Sequence, residues 1–135
     1  MPTIIQTIIY RKKNNGFELL LLKRSPERGG FWNAVNGTME AGETIVECRK
    51  RELFEEAGIQ EVFNLSDEIY RFNFVYNGKE ITVIVFTAEV AEDQEIIIND
   101  EHTEYRWVGL EEGTGMLKYE DDKKALRICW DRLKE

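Results

Sequence analysis

GTMEAGETIVECRKRELFEEAGI, residues 37–59, divides into a loop that carries two glycines and an amphipathic helix. Thr44 is a favourable N-cap, and Gly58 can end the helix in a left-handed conformation. Because successive helical residues turn by about 100°, the apolar positions of the segment gather on one side of the helix. We expect that side to comprise Val46, Leu53 and Ala57.

The other side of the same helix carries the carboxylates of Glu52, Glu55 and Glu56. Glu55 and Glu56 follow Glu52 by three and four positions, so like charges crowd within an arc of about 100°. Such crowding destabilises a helix unless a counter-charge lies close by. A divalent cation fits, and hard oxygen ligands suit magnesium or manganese. The alternative, which most runs of charge deserve, is an acidic helix face in contact with solvent.

Gly37, Glu43 and the run RELFEEAGI at residues 51–59 stand at the spacing of the Nudix box, with every position filled. The chain therefore resembles the Nudix hydrolase family, and the joint match of glycines, arginine and glutamates disfavours the solvated-helix alternative. The resemblance implies a nucleoside diphosphate linked to another group as substrate and hydrolysis of a phosphoanhydride bond. It implies Mg²⁺ as the cofactor, for which Mn²⁺ can substitute.

The site residues within the box divide into ligands and supports. The expected metal ligands on the helix are Glu52, Glu55 and Glu56. The resemblance adds the backbone carbonyl of Gly37 as a further ligand. It also gives Glu43 and Arg51 a structural role, in which they brace the loop against the helix so that the ligands keep their positions.

The general base must be a carboxylate that escapes full metal coordination, and the candidates are Glu52, Glu55 and Glu101. Glu101 lies in a loop after the second long strand, and in related proteins a glutamate in this region approaches the metals. We expect Glu101 to be a further metal ligand or the base; the alternative is an ordinary loop glutamate. His102 is the only histidine, and such a residue is more often structural, with substrate contact as the other interpretation.

Residues ahead of the box are candidates for substrate binding. Arg24 lies where a strand opens into a loop and can reach a phosphate or a base edge, although the position equally suits an ordinary surface arginine. Phe31 and Trp32 point in opposite directions if the segment is extended, so one belongs in the core and the other can line a base pocket. Trp32 is our candidate for the pocket. Asn36 directly precedes the first glycine of the box and is expected near the ligand.

The composition is that of an ordinary globular chain with an acidic surface. The length suits one domain over residues 1–135, and the net charge is −8. This charge disfavours binding to a nucleic acid polymer, and a triphosphate substrate needs metal ions and local cations. We expect no membrane span and no signal peptide. Cys48 and Cys129 lack metal-site spacing, which favours a reducing, cytoplasmic compartment; a monomer and a homodimer both remain open.

Strands and helices alternate irregularly along the chain. Strands are predicted at residues 3–10, 17–22, 61–65, 68–76, 80–90 and 105–108. Turns are predicted at residues 14–16 and 77–78, and a terminal helix at residues 121–133. Tyr105 and Trp107 share a strand face and are expected in the core rather than stacked on a base. Apolar residues on both faces of the strand at 80–90 require cover on both sides. The fold class is therefore α/β, a Nudix-type α/β/α sandwich with a central mixed sheet.

Two branches of the family share the features of residues 31–37 and 101–110. One comprises the dihydroneopterin triphosphate and dATP pyrophosphohydrolases, which release pyrophosphate, and residues 32–44 resemble this branch more closely. The other comprises the asymmetric diadenosine tetraphosphate hydrolases, which release ATP and AMP. Signatures of the coenzyme A and ADP-ribose branches are missing, and the acidic charge disfavours mRNA decapping. A nucleotide-binding module without hydrolysis is the alternative from another class, and the intact box argues against it.

Overall fold

The computed structural model describes residues 2–135, which contain eight strands, three α-helices and one short 3-10 turn. The strands are β1 (Thr3–Lys13), β2 (Gly16–Arg24), β3 (Trp32–Asn33), β4 (Val35–Thr38), β5 (Asn64–Leu65), β6 (Tyr70–Tyr76), β7 (Lys79–Glu89) and β8 (His102–Val108). The α-helices are α1 (Ile45–Ala57), α2 (Leu110–Met116) and α3 (Glu120–Leu133). The 3-10 turn is Pro26–Arg28.

β1 lies at the centre of one mixed sheet. It pairs antiparallel with β2 and β4 and parallel with β7. β3 and β8 pair with β2, while β5 and β6 pair with β7, all of them antiparallel. The parallel pair among antiparallel neighbours makes the sheet mixed, as the sequence predicted.

Helices cover both faces of this sheet. Val83 and Val85 of β7 pack in a cluster with α3, whereas Ile84 and Phe86 pack in a cluster with α1. A strand buried on both faces is the arrangement that its continuous apolar sequence predicted. The layers of helix, sheet and helix confirm the α/β/α sandwich. Helix α1 lies on one face of the sheet, and α2 and α3 lie on the other.

Two hairpins turn where the asparagine and glycine residues predicted. Asn14 and Asn15 have φ of 51° and 66°, and Asn77 and Gly78 have φ of 50° and 75°. Positive φ at both central residues is the signature of a type I′ turn, whose twist matches that of the flanking strands. These turns set the registers of β1 with β2 and of β6 with β7.

Two expectations about packing are wrong, and one helix was not predicted. Val46 is 48% exposed, because α1 is rolled so that Cys48 faces the sheet beside Leu53 and Ala57. Tyr105 is exposed, because β8 pairs only with β2 within residues 2–135 and its outer end has no cover. Helix α2 was not predicted at all, and it contacts α3 on the face opposite α1.

The cysteines and the helix lengths are two further features of the structure. Cys48 and Cys129 are free, buried thiols in α1 and α3. None of the helices found in residues 2–135 has the length and apolar character needed to cross a bilayer.

Candidate active site

Helix α1 is capped at both ends by residues within segment 37–59. The Thr44 hydroxyl accepts a hydrogen bond from the Glu47 N–H at 3.1 Å, and the Glu47 carboxylate accepts one from the Thr44 N–H at 2.8 Å. This capping box starts the helix one residue later. Gly58 ends it with φ of 69°, the left-handed conformation expected there. The start and the end of α1 therefore follow from the sequence.

Gly37 lies directly beneath the Glu52 side chain. A Cβ built at position 37 would overlap Cγ and Cδ of Glu52, so no residue with a side chain fits there without displacing this carboxylate. The need for glycine here comes from close approach rather than from a positive φ. Cys48 adds a long contact, with its Sγ 3.9 Å from the Gly37 carbonyl oxygen. The backbone of β4 thereby packs against side chains of α1 at the start of the box.

Glu56 is a buried carboxyl group, 4% exposed, that faces other carboxylates. Its pKa is raised far above its usual range, first by burial, then by its hydrogen bond with Glu52 and the charges of Glu52 and Glu101. The Asn36 backbone N–H donates to Glu56 and partly offsets this rise in pKa. Glu52, Glu56 and Glu101 therefore form one group, here called the carboxylate cluster.

His102 lies behind the carboxylate cluster rather than in front of it. Its Nε2 is 3.8 Å from a Glu56 oxygen and makes no hydrogen bond within residues 2–135, while Nδ1 lies 3.3 Å from the Asn99 side-chain oxygen. Burial, and after it the charge of Arg24, lowers the pKa of His102. The side chain is 1% exposed, which favours the structural interpretation of this histidine over substrate contact.

Arg51 joins the loop of the box to the helix. Its Nε and Nη2 donate to the two Glu43 carboxylate oxygens at 2.6 Å and 3.0 Å, and Nη2 also donates to the Thr38 carbonyl at 3.1 Å. Nη1 donates to Glu52 and, at 3.3 Å, to Glu55. The bonds from Arg51 to Glu43, and after them the bond from the Glu40 N–H, lower the pKa of Glu43 to about 2. One guanidinium thus joins the loop to two of the predicted metal ligands.

We expect Arg51→Lys to lower kcat/KM by about tenfold to a hundredfold, the usual cost of removing a group that orients metal ligands. An ammonium is a point charge and cannot match the forked contacts of the guanidinium. Steady-state kinetics with Mg²⁺ would measure the loss. Arg11→Lys is the matched control, because Arg11 pairs with Glu18 at 2.7 Å near the far end of β1. Equal activity in the two variants would contradict the bracing role.

Glu101 is held by its backbone and keeps an accessible carboxylate. Its carbonyl accepts from the Ser25 N–H at 2.9 Å, and its N–H donates to the Asn99 side chain at 3.1 Å. The carboxylate lies 3.2 Å from Arg28 Nη1. Glu55, by contrast, points toward solvent on α1. Within residues 2–135 its carboxylate forms an ion pair with Arg51. The structure brings Glu101 to Glu52 and Glu56 and leaves Glu55 at the margin.

A group of cations and aromatic rings borders the loop that follows β2. The Arg24 guanidinium is 5.3 Å from the Phe31 ring centroid, and Phe31 meets Tyr119 edge to face with centroids 5.5 Å apart. Lys118 Nζ lies 5.7 Å and 5.4 Å from these two rings. Arg24 Nε donates to the Arg28 carbonyl at 2.9 Å. Arg24, Phe31, Lys118 and Tyr119 are here called the cation–aromatic rim.

Trp32 and Asn36 direct their side chains toward the α3 side of the sheet. Trp32 packs against the core cluster there, with the Arg106 guanidinium 5.3 Å from its ring. The Asn36 side-chain oxygen accepts from Gln6 Nε2 at 3.0 Å, and Gln6 Nε2 also lies 3.1 Å from an Asp122 oxygen. Only the backbone of Asn36 meets the carboxylate cluster, so β4 connects polar groups on both faces of the sheet.

The donor chemistry of the carboxylate cluster fits a divalent cation. Its carboxylate oxygens and the nearby Gly37 carbonyl are hard ligands. Glu56 is buried beside Glu52 and Glu101, which raises its pKa, and the buried His102 Nε2 has no partner within residues 2–135. No three acidic, histidine or cysteine side chains in that range already form a cage for an ion. The Glu52 carboxylate instead accepts a hydrogen bond from Arg51, and a bound cation would compete for the same carboxylate.

The box, the sandwich and the carboxylate cluster together define the family of the chain. The NUDIX domain model matches residues 3–129. The chain therefore belongs to the NUDIX domain family and is a Nudix hydrolase, which confirms the resemblance found in the sequence.

The chain is similar to several proteins of known activity. The asymmetrical bis(5'-nucleosyl)-tetraphosphatase of Rattus norvegicus is 35% identical over 123 residues, which cover 89% of this chain and 83% of the rat protein. The nucleoside triphosphatase NudI of Escherichia coli is 33% identical over 114 residues, covering 76% and 81%. The crystal structure of a Caenorhabditis elegans Ap4A hydrolase binary complex superposes with a TM-score of 0.88 at 25% identity, covering 99% of this chain and 98% of that one.

The sequence expectations did not include several residues that shape this site. Asn99 positions both Glu101 and His102, and Arg28 pairs with Glu101. Asn99 precedes Glu101 by two residues, the spacing at which an asparagine side chain caps a following N–H, so this contact had a local signal. Arg28 had none, because the fold alone brings the 3-10 turn beside the start of β8.

Proposed function

We propose that this chain is an Mg²⁺-dependent hydrolase that splits diadenosine tetraphosphate asymmetrically into ATP and AMP. The observation that carries the proposal is the carboxylate cluster standing next to the cation–aromatic rim. Arg28 joins the two, because its carbonyl accepts from Arg24 and its guanidinium pairs with Glu101. In a chain of net charge −8, this rim supplies the local cations that a polyphosphate requires.

Glu52 and Glu56 are the side chains that would hold the metal, with the Gly37 carbonyl beside them and Glu55 as an outer ligand. Bound Mg²⁺ neutralises phosphate charge and lowers the pKa of a coordinated water. The protein residues perform the positioning. Arg51 fixes Glu52 from the loop side, and the Asn36 N–H donates to Glu56, beside which the buried His102 packs.

Glu101 is our candidate for the general base. Its carboxylate is more accessible than those of Glu52 and Glu56, and its backbone is fixed by Ser25 and Asn99. It is close enough for its charge to raise the pKa of Glu56, so it adjoins the proposed metal ligands. A carboxylate in this position can take the proton of the attacking water.

Glu101→Gln is expected to lower kcat by about a hundredfold or more, since general base catalysis contributes on that scale. The free energy of unfolding should fall by less than about 1 kcal/mol, because the Arg28 pair is exposed. Kinetics and denaturant unfolding of the same preparation test both parts. Glu104→Gln is the control, as Glu104 forms exposed pairs with Lys23 and Arg106 at 3.9 Å and 3.8 Å. Wild-type kinetics for Glu101→Gln would place this carboxylate outside the reaction.

The rim explains why a two-ended nucleotide suits this site. Arg24 and Lys118 can meet phosphates that extend beyond the metal, and the partly exposed rings of Phe31 and Tyr119 offer a surface for a base. Trp32 is not part of this surface, because it packs against the core cluster on the α3 side. The 35% identity to the asymmetrical tetraphosphatase over 89% of the chain supports the same substrate class.

Pyrophosphohydrolysis of a nucleoside or pterin triphosphate, such as dATP or dihydroneopterin triphosphate, is the second candidate. It is favoured by the 33% identity to a nucleoside triphosphatase and by residues 32–44. The same carboxylates would act, and the product would be pyrophosphate with a monophosphate.

Product analysis separates these activities. The protein is incubated with Mg²⁺ and, in turn, diadenosine tetraphosphate, dATP, dihydroneopterin triphosphate and ADP-ribose, and products are resolved by ion-exchange chromatography. We expect equimolar ATP and AMP from diadenosine tetraphosphate as the fastest reaction. Faster release of pyrophosphate from a triphosphate would select the second candidate. No Mg²⁺-dependent turnover of any compound would favour a binding module without hydrolysis.

A further inference from the structure

Arg49 of α1 is a buried guanidinium that pairs with no carboxylate in residues 2–135. It is 3% exposed, and its Nε has no hydrogen-bond partner within the same residues. Burial lowers its pKa to about 10. A charge in such a place is costly unless its contacts compensate. The geometry of those contacts indicates the structural role of Arg49.

The Arg49 fork bridges α1 to two neighbouring segments of backbone. Nη1 donates to the Ser66 carbonyl and Nη2 to the Thr87 carbonyl, both at 2.9 Å, and the guanidinium lies 4.2 Å from the Phe86 ring centroid. Ser66 and Thr87 are themselves joined, because the Ser66 N–H donates to the Thr87 carbonyl at 3.0 Å and the Thr87 N–H donates to the Ser66 hydroxyl at 2.7 Å. The helix is therefore fastened to a fixed point where β7 meets the segment between β5 and β6.

Arg49 lies on the same helix face as the carboxylates. Glu52 and Glu56 follow it by three and seven positions, and at about 100° per residue all three fall within a narrow arc. Ile45, Val46 and Phe54 are exposed, so the apolar contacts of α1 with the sheet come from Cys48, Leu53 and Ala57. Apolar contact is non-directional and permits a helix to roll about its axis. The two hydrogen bonds from the planar guanidinium are directional and oppose such a roll.

We propose that Arg49 is a positioning residue, which sets the roll of α1 so that Glu52 stays against Gly37 and Glu56 reaches the Asn36 N–H. Rotation of the helix would pull the fork from both carbonyls and swing the two carboxylates together, because they share its face. This inference rests on the proposed function, in which Glu52 and Glu56 hold the metal. It adds a residue outside the fixed positions of the box to the machinery that places them.

Direct Mn²⁺ binding, measured by electron paramagnetic resonance of the free ion, tests the role without turnover. Arg49→Met keeps an unbranched apolar stem and removes the fork, and we expect its Kd for Mn²⁺ to rise by about tenfold. Arg49→Lys keeps the charge without the fork, and we expect a smaller rise that still exceeds the control. Cys129→Ala is the control, since it alters a buried residue of α3 on the opposite face of the sheet.

The outcomes distinguish the role of Arg49 from the proposed metal site on which that role depends. Wild-type protein that fails to bind Mn²⁺ would overturn the metal site itself. Wild-type binding that is lost in Glu56→Gln, together with control-like binding in folded Arg49→Met, would leave the metal site intact and overturn the role of Arg49. If Arg49→Met does not fold, Arg49→Lys decides in the same way. A rise in Kd that exceeds the control, at a temperature where each variant is folded, supports the proposal.

Discussion

Glu56→Gln is expected to reduce kcat/KM at saturating Mg²⁺ by at least about a hundredfold, because a metal ligand contributes several kcal/mol to the transition state and about 1.4 kcal/mol corresponds to a factor of ten. The amide keeps the size of the side chain and can still accept from the Asn36 N–H. It supplies no negative charge for a cation. The fold should therefore persist while turnover is lost.

The metal-free stability of this variant should depend on pH in a specific direction. The pKa of Glu56 is raised in the folded chain, so the folded state binds its proton more tightly than the unfolded state does. The stability linked to that proton is complete below about pH 4.5, the ordinary pKa, and is lost as the pH rises through the folded value. Glutamine does not titrate. The free energy of unfolding of Glu56→Gln should therefore exceed that of wild type by a growing margin toward alkaline pH.

Chemical denaturation at pH 5, 7 and 9 with EDTA measures this margin, and repetition with Mg²⁺ should reverse it, since only the wild-type protein gains stability from the bound ion. Glu47→Gln is the control on the same helix, because a glutamine at this position preserves the capping box. A Glu56→Gln protein that turns over at the wild-type rate would exclude Glu56 as a ligand.

Gly37→Ala is expected to remove Mg²⁺-dependent turnover and to lower the free energy of unfolding by about 1–3 kcal/mol, the usual cost of overpacking. The added methyl would occupy the space of Glu52 Cγ and Cδ, so either the carboxylate or β4 must move. Both movements separate the Gly37 carbonyl from the carboxylate cluster. Activity should therefore fall further than stability alone explains.

Gly115→Ala provides the comparison for this change. A Cβ at position 115 meets nothing within 4 Å in residues 2–135, and its φ is not positive. Alanine in such a place should leave activity unchanged and can raise stability by about 0.4–1 kcal/mol. Calorimetry and kinetics on both variants test the prediction. Wild-type turnover by Gly37→Ala would show that this close packing is irrelevant to the reaction.

The ends of α1 and the hairpin turns could be predicted because their signals are local. The roll of α1 could not. A search for an apolar stripe places Val46 inward and overlooks Arg49, since a buried arginine looks like a surface residue until its carbonyl partners are known. Helix α2 was missed because its sequence holds two glycines, which are poor helix formers. Gly113 is required there by the close approach of Leu126 and Val108, a tertiary effect.

The site was predictable in part for the same reason. Spacing alone places Glu52 and Glu56 on one helix face, but Glu55 lies at its edge and turns to solvent beside Arg51. Only the pairing of β8 with β2 brings Glu101 to that face and buries His102 behind it, because the register sets His102 opposite Arg24. A contact that depends on strand register across the sheet leaves no mark in the local sequence.

A crystal structure with Mn²⁺ and a non-hydrolysable diadenosine tetraphosphate analogue tests the central claim most directly. Anomalous scattering would locate the ion without reference to the model. We predict a Mn²⁺ peak bonded to the carboxylates of Glu52 and Glu56 and the carbonyl of Gly37, with the phosphates on the same ion. Bound nucleotide with no anomalous peak at these oxygens would contradict the account.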